Sequence, residues 1–282
     1  MTGSIVSYLR YLKTLGRSEA TCTGYGSYLR KFQRFARTDA ITRSHVERFQ
    51  DHIIKESLAE GTRRGIRIVL SGFLKWMYDN RKTLSDLSRH VHHSIRKDPK
   101  VKTPLSESEV QEILEALTPD TPFRIRGRAM LELMYASGLR RGEILSLRKD
   151  GLDRTRKTVT VKGKGGKTRT VPVGDVAIHH LERYLEIRKS SSPLLFTFPN
   201  GQPVTRHGLE SLFAWINRRS QKHVHPHLLR HSFAVHMLRN GADVRVLQAL
   251  LGHENIDVTA RYLGLVKEDL KLAYDEAMEG VL

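Results

Sequence analysis

One cysteine, Cys22, stands in 282 residues. A disulfide within the chain is therefore excluded, and so is a cysteine-rich zinc site. Cys22 has no acid or base near it in sequence and reads as a small helical residue. No run of about 18 apolar residues occurs, so no membrane span is expected. The opening stretch "MTGSIVSYLRYLKTLGR" lacks an apolar core long enough for a signal peptide and is patterned as an amphipathic helix. A cytoplasmic protein with no membrane partner is the expectation. No cluster of carboxylates suited to magnesium is apparent.

Acidic residues are also scarce. The chain has 48 Lys plus Arg against 30 Asp plus Glu, a net charge of +18. Residues 1–100 carry 20 basic and 9 acidic side chains, and residues 101–282 carry 28 and 21. The excess is spread over both halves and interleaved with apolar residues, as in "GTRRGIRIVLSGFLKWMY". A folded surface facing a polyanion fits this pattern, and nucleic acid fits better than an acidic membrane. Charge alone distinguishes neither DNA from RNA nor a reader from an enzyme.

The first hundred residues carry helical periodicity throughout. Ser18 is a candidate N-cap, followed by Tyr25, Tyr28, Leu29, Phe32 and Phe35 at three- and four-residue steps. Thr42 is a second candidate cap, with Val46, Phe49, Ile53 and Ile54 placed on one face. A further helix puts Ile66, Val69, Leu70, Phe73, Leu74 and Met77 inward. A bundle of four or five helices over residues 1–97 is predicted. The polar stretch around Pro99 and Pro104 reads as a linker over residues 98–104. Ser106 with Glu109 then forms a capping box opening a second domain, residues 105–282. Within it, "RKTVTVKGKGGKTRTVPVG" alternates Val159 and Val161 with Thr158, Thr160 and Lys162, turns at glycines, and resumes at Thr168, Thr170, Val171 and Val173. This predicts a β-hairpin among helices. The fold class is mainly α with a small antiparallel sheet.

Several residues of this second half could do chemistry. Arg140 follows the helix stop Gly138, and a guanidinium at such a turn suits bidentate binding of phosphate, with Glu143 able to hold it. Lys164 sits at the hairpin tip, where an ammonium could protonate a leaving alkoxide. His227 and Arg230 are three apart, on one helical face behind Pro226. His253 follows the short helix "VRVLQALLG", and Tyr262 comes nine residues later. His223, His225 and His227 alternate as metal ligands might, but no acidic or sulfur ligand completes a set. His231 and His236 read as packing histidines. The stretch "ADVRVLQALLGHENIDVTARYLG" also has the outline of a helix–turn–helix, which leaves a DNA-binding regulator open.

The ordered set Arg140, Lys164, His227, Arg230, His253 and Tyr262 resembles that of the tyrosine recombinases, or phage-type integrases, and most closely the small Xer-type subgroup. The likeness is carried by "ASGLRRGEILSL", "GKGGKTRTVPV", "HPHLLRHSFAVHML" and "LLGHENIDVTARYLGL", and extends to the basic helical first half, which is similar to the family's core-binding domain. The resemblance implies a helical core-binding bundle and an α+β catalytic domain with a C-terminal tail helix. It implies cutting and rejoining of double-stranded DNA through a 3′-phosphotyrosine at Tyr262, with no metal, cofactor or ATP. It also implies inverted-repeat half-sites, a dimer per site and a cyclic tetramer in the synapse, joined through the tail. The small chain leans to chromosome dimer resolution at a dif-like site, in an archaeal Xer-type protein, with mobile-element integration as the alternative. A type IB topoisomerase would use similar groups without exchanging strands between duplexes.

Overall fold

The computed structural model describes residues 1–92, 103–118, 121–163, 166–252 and residue 262. The chain divides into two compact units, Met1–Pro99 and Lys100–Leu282. Most of the stretch read as a linker lies outside the described residues. No described helix is long and apolar enough to cross a membrane.

The first unit is built from α1 (Thr2–Thr14), α2 (Glu19–Ala36), α3 (Arg43–Lys55) and α4 (Glu60–Asp79), closed by a 3-10 turn at Leu87–His90. Ser18 caps α2 by accepting the Thr21 N–H at 3.2 Å. Thr42 precedes α3, as expected, with His45 Nδ1 taking the Thr42 N–H. The inward stripes of α2, α3 and α4 meet at Phe32, Phe49 and Phe73, each at most 1% exposed. Burial of a side chain of this size stabilises by about 1.5–3 kcal/mol relative to exposure. Ile54, placed on the inner face of α3 from sequence, is 52% exposed. It adjoins Ile53, and one helical step of about 100° turns it off the stripe. Among the described residues of this unit, Gln50 is the one buried side-chain amide. Its Nε2 donates to the His90 carbonyl at 2.8 Å and its Oε1 accepts the His92 N–H at 2.7 Å, so one side chain ties the end of this unit to α3.

In the second unit, α5 (Glu107–Glu115) opens on the expected capping box, Ser106 Oγ accepting the Glu109 N–H and Glu109 the Ser106 N–H. Next come α6 (Pro122–Ser137), α7 (Arg141–Ser146), a three-stranded antiparallel sheet, α8 (Asp175–Ile187), α9 (Arg206–Asn217), α10 (Pro226–Arg239) and α11 (Val244–Leu251). The sheet has β2 (Thr158–Lys162) between β1 (Leu152–Asp153) and β3 (Thr168–Pro172). Strand β1 is two residues long, too short for any periodicity to reveal. The β2–β3 register pairs Val159 with Val171 and Val161 with Arg169. Paired residues share a face, so Arg169 stands in the same inward row as three valines. Helix α10 differs from the others. Leu228, Leu229, Ser232, Phe233, Ala234 and Val235 are all buried, so most of its circumference is enclosed, with His227 and Arg239 exposed near its two ends. Ser232 Oγ takes the Leu105 N–H at 2.9 Å and donates to the Leu228 carbonyl, tying the start of this unit to α10.

Candidate active site

The site is built where α6 stops, α10 passes and α11 ends. Helix α6 terminates at Gly138, which has φ +59°. A Cβ there would lie 2.5 Å from the Phe233 ring and 2.9 Å from Leu251, so glycine is required by both conformation and space. The chain then places Arg140 at the N-cap of α7. Glu143, in the first turn of α7, accepts the Arg140 backbone N–H at 2.8 Å and its Nη1 at 3.0 Å. The side chain of Arg140 is about one-third exposed, at 35%, while Glu143 is buried.

Arg230 is buried on α10, with Nη1 donating to the Gly138 carbonyl at 2.5 Å and Nη2 to the Leu251 carbonyl at 2.7 Å. Two backbone oxygens therefore set the plane of its guanidinium. Burial, and next the charge of Arg140, push its pKa down to about 10, so it remains a cation at neutral pH. Arg140 Nη2 in turn donates to the Gly252 carbonyl at 3.1 Å. The two arginines foreseen as a phosphate clamp thus converge on one helix end, where partial negative charge favours cations.

His227 lies in the first turn of α10, which His225 caps by accepting the Leu228 N–H through Nδ1. His225 therefore has a structural duty, and among the described residues no three His, Cys, Asp or Glu side chains are grouped as metal ligands. One edge of His227 is exposed, yet packing around it, followed by the charges of Arg230, Arg141 and Arg140, lowers its pKa. Tyr262 is half-buried. It packs against the cluster formed by Phe233, Ala234, Leu238, Leu247 and Leu251, and its ring centroid lies 5.2 Å from that of His231. It is also close enough to Arg230 to act on the charge of that guanidinium. Lys164 and His253 lie outside the described residues, as do the segment 263–282 and Tyr274.

Two other tyrosines of this unit, Tyr135 and Tyr184, are poorly suited to attack a phosphate. Burial and then nearby Glu107 and Glu132 push the Tyr135 hydroxyl up to about 12, and it is bonded to His236 at 2.7 Å. Tyr184 is buried, and its hydroxyl accepts the Thr197 N–H at 2.9 Å. His236 is the packing histidine that the sequence suggested. His231 is not only that, because it stands against Tyr262. Reading the sequence also missed Arg169, whose guanidinium forks onto Glu143 at 2.7 and 2.9 Å. The signal was present in the hairpin, since period-two alternation puts Arg169 on the face of Val171 and Val173.

A basic two-unit chain with cationic side chains gathered beside a tyrosine defines a protein that handles phosphodiesters. Comparison with known proteins gives the particular family. Residues 104–268 match the Phage integrase family and residues 5–81 the Phage integrase, N-terminal SAM-like domain. Tyrosine recombinase XerD of Oceanobacillus iheyensis is 34% identical over 270 residues, covering 93% of this chain and 90% of its own. Tyrosine recombinase XerC of Halalkalibacterium halodurans is 33% identical over 295 residues, covering 96% and 95%. The fold is shared with a lambda integrase dimer bound to a core site (TM-score 0.75, 18% identity, 93% and 94% covered) and with XerA recombinase (TM-score 0.56, 23% identity, 98% of each chain). The chain belongs to the phage integrase family and is a Xer-type tyrosine recombinase, a site-specific enzyme that cuts and rejoins DNA.

Proposed function

We propose that Tyr262 attacks a DNA phosphodiester and holds the broken strand as a 3′-phosphotyrosine, with Arg140, Arg230, His227, His253 and Lys164 completing the site. The observation that carries this reading is the convergence of Arg140 and Arg230 on the end of α11 beside Tyr262. A free tyrosine has a pKa near 10 and attacks poorly at pH 7. Fixed cations nearby favour its phenolate and polarise the phosphate. Negative charge grows on the non-bridging oxygens as the bond to tyrosine forms, so the clamp binds the transition state more tightly than the ground state. His227 adds a hydrogen bond to the same oxygens, His253 another, and Lys164 protonates the leaving 5′-oxygen. The phosphotyrosine conserves the bond energy, so rejoining needs no ATP.

The first unit acts as the core-binding domain and contacts the duplex, joined to the catalytic domain by a linker at residues 98–104. The substrate is a dif-like site of inverted half-sites, occupied by two protomers, and the reaction resolves chromosome dimers. The relatives that carry Xer names match nearly the whole chain at 30–34% identity, which favours this role over mobile-element integration. A tetramer on two such sites is joined through the C-terminal tail, and deleting residues 268–282 should reduce synapsis while sparing binding to one site. A mobility assay with one and two labelled sites reads both.

The decisive experiment uses a duplex nicked close to the cleavage point, which traps the enzyme on the strand it has cut. A denaturant-stable adduct should appear, its released strand should bear a 5′-hydroxyl open to phosphorylation, and the modified peptide should contain Tyr262. An adduct on another residue, or a 5′-linked one, would refute the assignment.

A further inference from the structure

The last three carbonyls of the α11 end each accept from a different arginine. Arg169 Nε donates to Leu250 at 2.8 Å, Arg230 Nη2 to Leu251 at 2.7 Å and Arg140 Nη2 to Gly252 at 3.1 Å. Two of these arginines belong to the proposed clamp. The third does not, and its donors are turned into the protein: besides Leu250 it gives Nη1 and Nη2 to the two oxygens of Glu143. Glu143 thereby accepts four hydrogen bonds, two from Arg169 and two from Arg140, which fills a carboxylate. Gly252, at φ +62°, leaves room for this arrangement, since a Cβ there would meet the Arg169 guanidinium at 3.2–3.3 Å.

We propose that Arg169 is a positioning residue for the recombination reaction, one that keeps Arg140 fixed while leaving its charge un-neutralised. Arg140 needs Glu143 to hold its guanidinium in place. A carboxylate paired with Arg140 alone, however, would cancel the charge that the phosphate must meet. Arg169 removes that conflict by taking the larger share of the carboxylate through the shorter, forked contact. The local balance becomes two cations to one anion before Arg230 is counted. Burial pushes the Glu143 carboxyl up, but the Arg169 fork and the Arg140 N–H outweigh it and hold the acid ionised. Arg169 also ties β3 to the end of α11, so one side chain fixes the hairpin and the helix end against the same turn.

The proposal rests on the reading of Arg140 as a phosphate ligand, and its test separates the two. Adduct formation on the nicked duplex is measured in a single turnover at saturating protein, below the melting temperature of each variant. The wild type and Tyr262→Phe run in parallel. Arg169→Met should slow the reaction about 10–100-fold, the range for losing a group that orients a charged ligand without touching the reactants. Adding Glu143→Gln to Arg169→Met removes the uncompensated carboxylate and should restore the rate by on the order of tenfold, because no anion then offsets the field of Arg140 at the phosphate. A purely structural role predicts the reverse, since the double variant strips more of the network. Arg169→Lys keeps a charge but cannot fork, and should fall between wild type and Arg169→Met. If Arg169→Met does not fold, Arg169→Lys with and without Glu143→Gln carries the same comparison. A rate for the single variant within threefold of wild type, or a double variant no faster than the single, overturns the role of Arg169 while the adduct at Tyr262 stands. Absence of any Tyr262-dependent adduct in the wild type overturns the underlying reading, and this role with it.

Discussion

The first unit carries its charge on its surface, and the second takes charge inside. Among the described residues of the first unit, Arg67 is the one charged side chain that is buried, beside the neutral Gln50. The second buries Arg126, Glu132, Glu143, Arg230 and His236. Burying an ion is costly unless other groups replace its water, so such groups stay where geometry matters more than stability. Arg230 illustrates this. Two backbone carbonyls and a tyrosine environment fix it where a solvated arginine would wander. By contrast, Arg34, Arg37 and Arg48 of the first unit border one hollow and are exposed, free to meet a backbone of variable shape.

The same contrast explains what was legible in the sequence. Helices α2 to α4 bury one face each, so apolar spacing alone located them and most of their inward residues. Helix α10 buries polar as well as apolar residues, Arg230, Ser232 and His236 among them, so it gives no amphipathic signal, and only its motif and Pro226 marked it. Arg140, His227 and Arg230 stood out as candidates because each sits in a local pattern, Arg140 between Gly138 and Glu143, and His227 three residues before Arg230. Arg169 and His231 did not, because their importance comes from Glu143, Leu250 and Tyr262, and the first two of these lie 26 and 81 residues away from Arg169. No local pattern reports a partner at that distance.

The largest expected effect comes from removing the proposed nucleophile. Tyr262→Phe keeps the ring against His231 and Phe233 and deletes the hydroxyl. It should fold and bind DNA nearly as wild type, yet yield no denaturant-stable adduct. A covalent complex from this variant would direct attention to another residue, to be found by mass spectrometry of the adduct peptide.

Next in size are the buried and half-exposed arginines compared with each other. Either Arg140→Ala or Arg230→Ala should lower the cleavage rate on the order of hundreds-fold, about 3–4 kcal/mol of transition-state stabilisation each. Their effects on folding should differ. Arg230→Ala strands the Gly138 and Leu251 carbonyls in the interior, at about 1–3 kcal/mol for each group left unsatisfied, whereas the hydrogen bonds of Arg140 lie nearer solvent. Chemical denaturation of the two variants reads this directly, and equal losses of stability would contradict the expected difference.

The surface charges of the first unit should act more gently and through salt. Replacing Arg34, Arg37 and Arg48 one at a time should weaken DNA binding while leaving the rate of the bound complex alone. Each phosphate left without its arginine should reduce the slope of log K against log salt by about 0.9. Titrations between roughly 50 and 200 mM salt provide the slope. An unchanged slope would place this hollow away from DNA.

The smallest expected effect concerns protons, and it separates a histidine of the core from one of the site. His236 is buried, Tyr135 is bonded to its Nδ1, and its Nε2 has no hydrogen-bond partner among the described residues. Burial above all, and then the charge of Arg239, lower its pKa against the opposing pull of Glu107 and the Leu105 carbonyl. His227 is lowered as well, by packing and by Arg230, Arg141 and Arg140. Well above pH 6.5 both are neutral in the folded and unfolded chain and contribute no pH dependence. As pH falls through 6.5 the unfolded chain takes up protons that the native state resists, so stability should decline by up to about 1.4 kcal/mol per pH unit for the buried His236 and by less for the exposed, solvent-screened His227. Glu143, with its pKa lowered, loses its contribution only at lower pH and stays outside this window. Thermal unfolding from pH 7 to 5.5 should therefore show a falling midpoint, flattened in part by His236→Asn, whose amide oxygen can still accept from Tyr135. DNA should cancel only the His227 share, because a phosphate beside that ring favours its protonated form. Melting curves with and without a bound site test the distinction: if DNA erases the pH dependence that His236→Asn removes, the two histidines have been assigned to the wrong places.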